Sequence, residues 1–223
     1  MDYESPEYHL RRHPDLIENY ELSVAWSAFA ADAYFNHVNT GDNVLEFGAG
    51  VANNLLTVKN LVASVTAVEP SILGREIAEK YGIPAFDNIG GVDGRCFDTI
   101  LCRHVLEHVE SPKEVLESLG DHLADDGVLV LVLPIDPIGQ GPKQDDLNQH
   151  LFCWNPRTIN NLALRCGLTL TGHHTEAFGA KRKLLFIYRV FGARAYVRLV
   201  RLTGQLLGFK EQVFVFRKAD QRT

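Results

Sequence analysis

From residue 43 onward the chain alternates two kinds of apolar segment. Short runs apolar at most positions, NVLEFG (43–48), SVTAVEP (64–70), FDTILC (97–102) and GVLVLVLP (127–134), are one kind. Between them lie longer stretches with apolar residues at helical spacing: ANNLLTVKNLV (52–62), SILGREIAEKYG (71–82) and PKEVLESLGDHL (112–123). Runs without polar alternation belong to strands buried on both faces, and helices between them are the crossovers of a parallel sheet. IPAF (83–86) is a weak further strand, and NPRTINNLALRCG (155–167) a further helix. The last two strands, LTLTGHH (168–174) and EQVFVFRKA (211–219), lack an ordinary crossover and are expected to pair antiparallel at an edge. The pattern predicts a doubly wound, mostly parallel α/β sheet of seven strands whose last strand runs antiparallel.

Two segments fall outside this alternation. LSVAWSAFAADAYF (22–35) is rich in Ala and aromatics and holds no Gly or Pro, so a helix is expected from about Asp15 to Val38, broken by NTGD (39–42). Residues 177–209 form a late insertion between the final two strands. The expected organisation is a single domain: helical extension 1–40, core 41–176, insertion 177–209, last strand and tail 210–223.

Charge sharpens this division. The net charge of −6 conceals 11 basic against 26 acidic residues in 1–176, a balance of −15, and 11 against 2 in 177–223, a balance of +9. Four scattered cysteines, Cys96, Cys102, Cys153 and Cys166, form no C-x-x-C pair and read as reduced thiols of a cytoplasmic protein. No basic head with an apolar run suggests a signal peptide, and no apolar run approaches the ~18 residues of a membrane span.

Ligands of a doubly wound sheet bind at the carboxyl ends of the strands. The first strand runs into VLEFGAGVANN (44–54), where Gly48 and Gly50 permit a tight turn and close backbone approach. A dinucleotide fingerprint would require glycine at 53, which is Asn. Glu46, just before the turn, would repel a pyrophosphate and suits a cationic amine. Glu69 closes the second strand 23 residues later, and its carboxylate can accept from two vicinal hydroxyls.

Glu46-Phe-Gly48-Ala49-Gly50-Val-Ala52 resembles the (D/E)-x-G-x-G-x-G motif of class I S-adenosylmethionine-dependent methyltransferases, with alanine at the third glycine. The stretch from FDTILC through LEH (106–108), Pro112 and DDG (125–127) to GVLVLVLP is similar to the same family, in the type that includes quinone-biosynthesis enzymes. The resemblance implies a Rossmann-like fold and S-adenosylmethionine as cofactor. Glu46 would then face its methionine part, Gly48, Ala49 and Gly50 its ribose and backbone, Glu69 with Pro70 the ribose, and Asp87 the adenine amine. Arg103 and His104, at the end of the fourth strand, would lie near the sulfonium and the acceptor. HLFCWNP (150–156) resembles another family stretch, which makes His150 a candidate general base or orienting group. A nicotinamide-dependent oxidoreductase and a noncatalytic binding protein remain alternatives.

His104-Val-Leu-Glu107-His108 also fits H-x-x-E-H, a zinc peptidase pattern. Such a pair needs a helix through both histidines and a third ligand. Ser111, Pro112 and Glu114 read instead as the N-cap and first turn of a helix beginning after them, so no metal is expected. Glu107 and His108 read as hydrogen-bonding scaffolding.

The insertion carries Arg194, Arg198 and Arg201 on one helical stripe and Ala195, Leu199, Leu202 and Leu206 on an opposing apolar face, widened by Tyr196, Val200 and Leu207; KRKLLFIYRVF (181–191) reads as a separate helix ended by Gly192. Three readings stay open: a cap on the acidic body, a lid meeting an anionic or lipid-like small-molecule acceptor, or a weak membrane-surface contact through 181–207. Nucleic acid is not expected, because the acidic body would repel phosphate. The oligomeric state cannot be read from the sequence.

Overall fold

The computed structural model describes residues 20–136, 149–207 and 210–219. Helix α1 (Tyr20–Tyr34) precedes β1 (Asn43–Phe47), α2 (Asn53–Val58), β2 (Ser64–Val68), α3 (Ile72–Lys80) and β3 (Ala85–Phe86). Then come β4 (Phe97–Arg103), α4 (Pro112–Asp121), β5 (Leu123–Pro134), α5 (Pro156–Arg165), β6 (Leu168–Ala177), α6 (Leu185–Leu207) and β7 (Lys210–Lys218). The seven strands form one sheet in the order β3-β2-β1-β4-β5-β7-β6. The pairs among β1 to β5 are parallel, while β7 runs antiparallel to both β5 and β6. The expected fold class is therefore observed. The expected antiparallel pair stands at one edge, with β6 outermost and β7 between β5 and β6, where Glu211 to Phe216 are all buried.

Alternation of side chains splits the strands between two cores. Val44, Leu101, Val130 and Val132 pack with α1, α2 and α6 through Phe29, Tyr34, Leu55, Tyr196 and Val200. Leu45, Ile100, Leu129 and Leu131 pack on the other face with α4 and α5 through Leu116, Leu119, Ile159 and Ala163. The N-terminal extension and the late insertion thus complete one layer of the sandwich.

The expected helix of 15–38 is observed from Tyr20 to Tyr34; residues 15–19 lie outside the described residues. Its stop follows from the turn at 39–42, where Gly41 takes φ 103 and Asn39 N–H donates to Asp42 Oδ2 at 2.7 Å. Helix α4 begins at Pro112 as expected, although the Ser111 hydroxyl makes no cap bond. A full capping box stands at α5, where Asn155 and Thr158 bond reciprocally.

The insertion forms two helical stretches that meet at Gly192 (φ 76), as expected, and its buried face matches the expected one only in part, through Tyr196 and Val200. Tyr196, Val197, Val200 and Gly204 point inward, whereas Leu202 and Leu206 are exposed. Gly204 sets this rotation: a Cβ there would lie 2.2 Å from the Phe178 backbone nitrogen, so helix backbone rests directly on the chain leaving β6. Arg201 leaves the basic stripe to pair with Glu176, through Nε at 2.9 Å and Nη2 at 3.1 Å, and with Asp32 of α1. Among the described residues no helix is long and apolar enough to cross a membrane.

Candidate active site

The turn after β1 is bound to the end of β2. Gly48 and Ala49 N–H groups both donate to Val68 O, at 2.8 and 3.1 Å. Gly48 takes φ 72, and a Cβ on it would lie 2.2 Å from Val105 Cγ2, so only glycine fits. Gly50 (φ 55) donates its N–H to Glu69 Oε2 at 2.7 Å, and Ser71 N–H reaches Glu69 Oε1 at 2.9 Å. Ala52, at the third glycine position, holds a left-handed φ of 54 as N-cap of α2.

Glu46 is buried beneath this turn. Its Oε1 accepts from Asn54 Nδ2 at 2.5 Å, and its Oε2 has no hydrogen-bond partner among the described residues. Burial pushes its carboxyl up to about 8, against the pull of Asn54 and Arg103. A buried carboxylate oxygen without a donor fits a cationic group brought by a ligand. Arg75 Nη1 donates to the carbonyls of Glu69 (2.7 Å) and Pro70 (2.6 Å) and braces the end of β2. Asp87 is exposed just past β3 and accepts from Asn88 Nδ2 at 2.8 Å. Glu46, Gly48, Ala49, Gly50, Glu69, Pro70 and Asp87 therefore line the carboxyl ends of three adjacent strands. The order suits the methionine, ribose and adenine parts of S-adenosylmethionine, and these residues fit that cofactor.

A second cluster stands at the end of β4. Glu211, first buried residue of β7, is wholly inaccessible. Its Oε2 receives Arg103 Nη2 at 3.0 Å and lies 2.7 Å from His104 Nε2, while its Oε1 accepts from Tyr34 O–H. Burial pushes the Glu211 carboxyl up to about 8. Burial also lowers Arg103 to about 10, and its guanidinium lies over the Tyr34 ring at 5.3 Å. His104 holds a left-handed φ of 54, strain of the kind that aims side chains at functional sites. Lys181 of the insertion completes the cluster: its ammonium lies 4.7 Å from the Phe29 centroid and 4.0 Å from that of Phe178, and burial lowers its pKa strongly.

The two histidines of H-x-x-E-H part company. Residues 104–108 form turns rather than a helix, and His104 turns to Glu211 while His108 packs edge-on against His150, ring centroids 4.9 Å apart. His150 Nδ1 lies 2.9 Å from Asp136 Oδ2. Glu107 serves as scaffold through its carbonyl, which accepts from Leu151 N–H (2.8 Å) and Phe152 N–H (3.3 Å). Its buried carboxylate stands between the two histidines, Oε1 lying 3.5 Å from His104 Nδ1 and 3.8 Å from His108 Nε2; neither oxygen has a hydrogen-bond partner among the described residues, and burial raises its pKa. Glu107, His108 and His150 offer donor atoms within 4.8 Å of one another, so a cation would be held by these three and not by the peptidase pair. His150, which the chain brings back from beyond β5, supplies the third donor that spacing along the sequence did not show.

Sequence reasoning reached Glu46, Glu69, His104 and His150 but missed Tyr34, Asn54, Lys181 and Glu211. Only Glu211 leaves a trace in the pattern, an acid heading the otherwise apolar strand EQVFVF.

The profile of the family described as "Methyltransferase domain" matches residues 20–173, more than half the chain. This chain belongs to that family. It is a class I S-adenosylmethionine-dependent methyltransferase by fold and motif, and the nicotinamide reading falls away. The mitochondrial ubiquinone biosynthesis O-methyltransferase of Schizosaccharomyces pombe is 34% identical to this methyltransferase over 105 residues, 41% of this chain and 38% of that one. The match thus spans well under half the length of that curated relative. Among solved structures, the 1,6-didemethyltoxoflavin-N1-methyltransferase of Burkholderia thailandensis superposes with a TM-score of 0.62 at 17% identity, covering 96% of this chain and 84% of its own. The CcbJ methyltransferase of Streptomyces caelestis gives 0.58 at 17% identity, covering 86% and 89%. At such identities these two establish the shared fold alone.

Proposed function

We propose that this methyltransferase transfers a methyl group from S-adenosylmethionine to a small-molecule acceptor, with a hydroxyl oxygen favoured over N or C, and that the acceptor is anionic or lipid-like. The observation that carries the reading is the buried, donorless Oε2 of Glu46 under a glycine turn. When bound, the cofactor supplies an activated methyl on a sulfonium. The protein's own part is to orient the acceptor, exclude water and accept a proton. His104 lies at the right strand end for proton removal, with its ring oriented between two buried carboxylates, Nε2 2.7 Å from Glu211 Oε2 and Nδ1 3.5 Å from Glu107 Oε1. His150, held by Asp136, is the second candidate for that role. The Arg103 guanidinium, held by Glu211 at the end of β4, supports an anionic acceptor. The relative's name supports O-methylation of a quinone precursor. Four free thiols support a reducing compartment, the cytoplasm in this reading.

Calorimetric titration tests the cofactor assignment. S-adenosylmethionine should bind and NADH should not, and Glu46→Gln or Glu69→Gln should each weaken binding by about 10–100-fold, the worth of a charge-assisted bond. Unchanged affinity in both variants would overturn it. Turnover across catechols, hydroxybenzoates and amines then tests catalysis. Tight binding with no product from any acceptor class would favour a noncatalytic protein.

A further inference from the structure

Half of the large apolar side chains exposed among the described residues lie on one element. They are Phe186, Val190 and Phe191, at 56–67% exposure, and Leu202, Leu206 and Leu207, at 52–78%. All six belong to α6. The first three sit before the kink at Gly192, with Phe186 and Val190 one turn apart. The last three sit in the final two turns. On the same outer side stand exposed Lys183, Arg189, Arg194 and Arg198. After the kink, Arg194, Arg198, Leu202 and Leu206 follow at four-residue intervals, opposite the buried Tyr196, Val200 and Gly204. No acidic residue occurs from 177 to 207, and Arg201, which pairs with Asp32 and Glu176, is turned inward.

We infer that this outer face of α6 docks on a bilayer surface containing anionic lipid. Phe186, Val190 and Phe191 enter the boundary below the headgroups, and Lys183, Arg194 and Arg198 meet lipid phosphates. The helix lies in the interface plane, because arginines spread along it bar a spanning orientation. Charge complementarity selects this occupant. A second copy meeting the face symmetrically would oppose like charges, and a nucleic acid would leave the aromatic and aliphatic side chains without apolar partners. The inference goes beyond the methyl-transfer reading and stands without it, since none of these side chains belongs to the site.

Vesicle co-sedimentation of the whole chain tests it, with phosphatidylcholine alone and with phosphatidylcholine mixed with phosphatidylglycerol. Binding is expected to the mixed vesicles, at least tenfold weaker to the neutral ones, and reduced by high salt. The triple variant Phe186→Ser/Val190→Ser/Phe191→Ser should lower binding at least tenfold while leaving far-UV circular dichroism and S-adenosylmethionine affinity unchanged. Arg194→Glu/Arg198→Glu should remove the preference for anionic lipid. Absence of binding to mixed vesicles, or binding that neither variant alters, would overturn the inference. So would a concentration-dependent dimer in sedimentation velocity that the triple variant abolishes, which would assign the face to a second copy.

Discussion

The two ends of the candidate site are built on different principles. At the tips of β1 and β2 the polar groups come from two short stretches, 46–54 and 69–75, and nearly every bond there involves backbone: Gly48 and Ala49 to Val68, Gly50 and Ser71 to Glu69, Arg75 to two carbonyls. At the tips of β4 and β7 the bonds run between side chains from distant segments: Tyr34, Arg103, His104 and Glu211, with Lys181 beside them. The first arrangement forms wherever strand, turn and helix form. The second exists only while α1, α6 and β7 are docked. This difference supports the proposed division into a cofactor end and an acceptor end, because a long-range cluster can be rebuilt without disturbing a local turn.

The strongest way to separate the two ends is to undock the insertion. Gly204→Val places a branched side chain where even a Cβ would meet Phe178 and Ala177 backbone at 2.2–2.5 Å. No flexible side chain is there to yield, so α6 must lift from β6. A loss of about 3 kcal/mol or more is expected in chemical unfolding. If the comparison is right, the surviving folded protein binds S-adenosylmethionine within about threefold of the parent in calorimetry and loses most turnover. Equal loss of both would show that the two ends are one cooperative unit.

Legibility in the sequence divides along the same line. Glu46, the glycine turn and Glu69 were readable because the chemistry is carried by neighbours in sequence. The parallel sheet was readable because strands buried on both faces have no polar alternation. The inward face of α6 was legible only in part, at Tyr196 and Val200, because leucines at helical spacing suggest a core and Leu202, Leu206 and Leu207 are exposed. The true register is set by one glycine touching another element, and no periodicity encodes such a contact. Glu211 left a trace that could not be read for a related reason: a buried acid in a strand is interpretable only once Arg103, His104 and Tyr34 are known to converge on it. The donor grouping of Glu107, His108 and His150 was missed because His150 returns from beyond β5 to complete it.

A smaller effect tests whether the cofactor end waits for a cation. With its carboxyl raised from 4.5 to about 8 by burial, Glu46 in the free protein keeps a proton that the unfolded chain has lost. Unfolding free energy should therefore fall as pH rises from about 4.5 to 8, then level. Glu211 is shifted in the same direction to about 8, so Glu46→Gln should reduce the slope without removing it. A cationic ligand favours the ionised form, so binding should release a proton below pH 8, and affinity should rise up to tenfold per pH unit before flattening. Titrations in buffers of different ionisation enthalpy measure that proton. Its absence in the parent protein would mean that the cation is not met by Glu46.

The smallest expected effect concerns the third position of the turn. Ala52 sits at φ 54, ψ 26, where an L-residue other than glycine is strained by about 1–2 kcal/mol. Ala52→Gly removes that strain. It also gives up a fully buried methyl, worth roughly 0.8 kcal/mol, and adds freedom to the unfolded chain, worth roughly 0.5–1 kcal/mol. The terms nearly cancel, so stability should move by less than about 1 kcal/mol in urea unfolding, with cofactor affinity unchanged. Ala52→Val adds a β-branch to the same backbone conformation in a site with no exposed surface, and should cost at least 2 kcal/mol. The pair of variants separates two accounts of the alanine. If backbone conformation is what the turn demands, glycine is tolerated and valine is not. If the buried methyl is what matters, glycine loses stability outright, and the likeness of this turn to a three-glycine motif would be one of spacing rather than of shape.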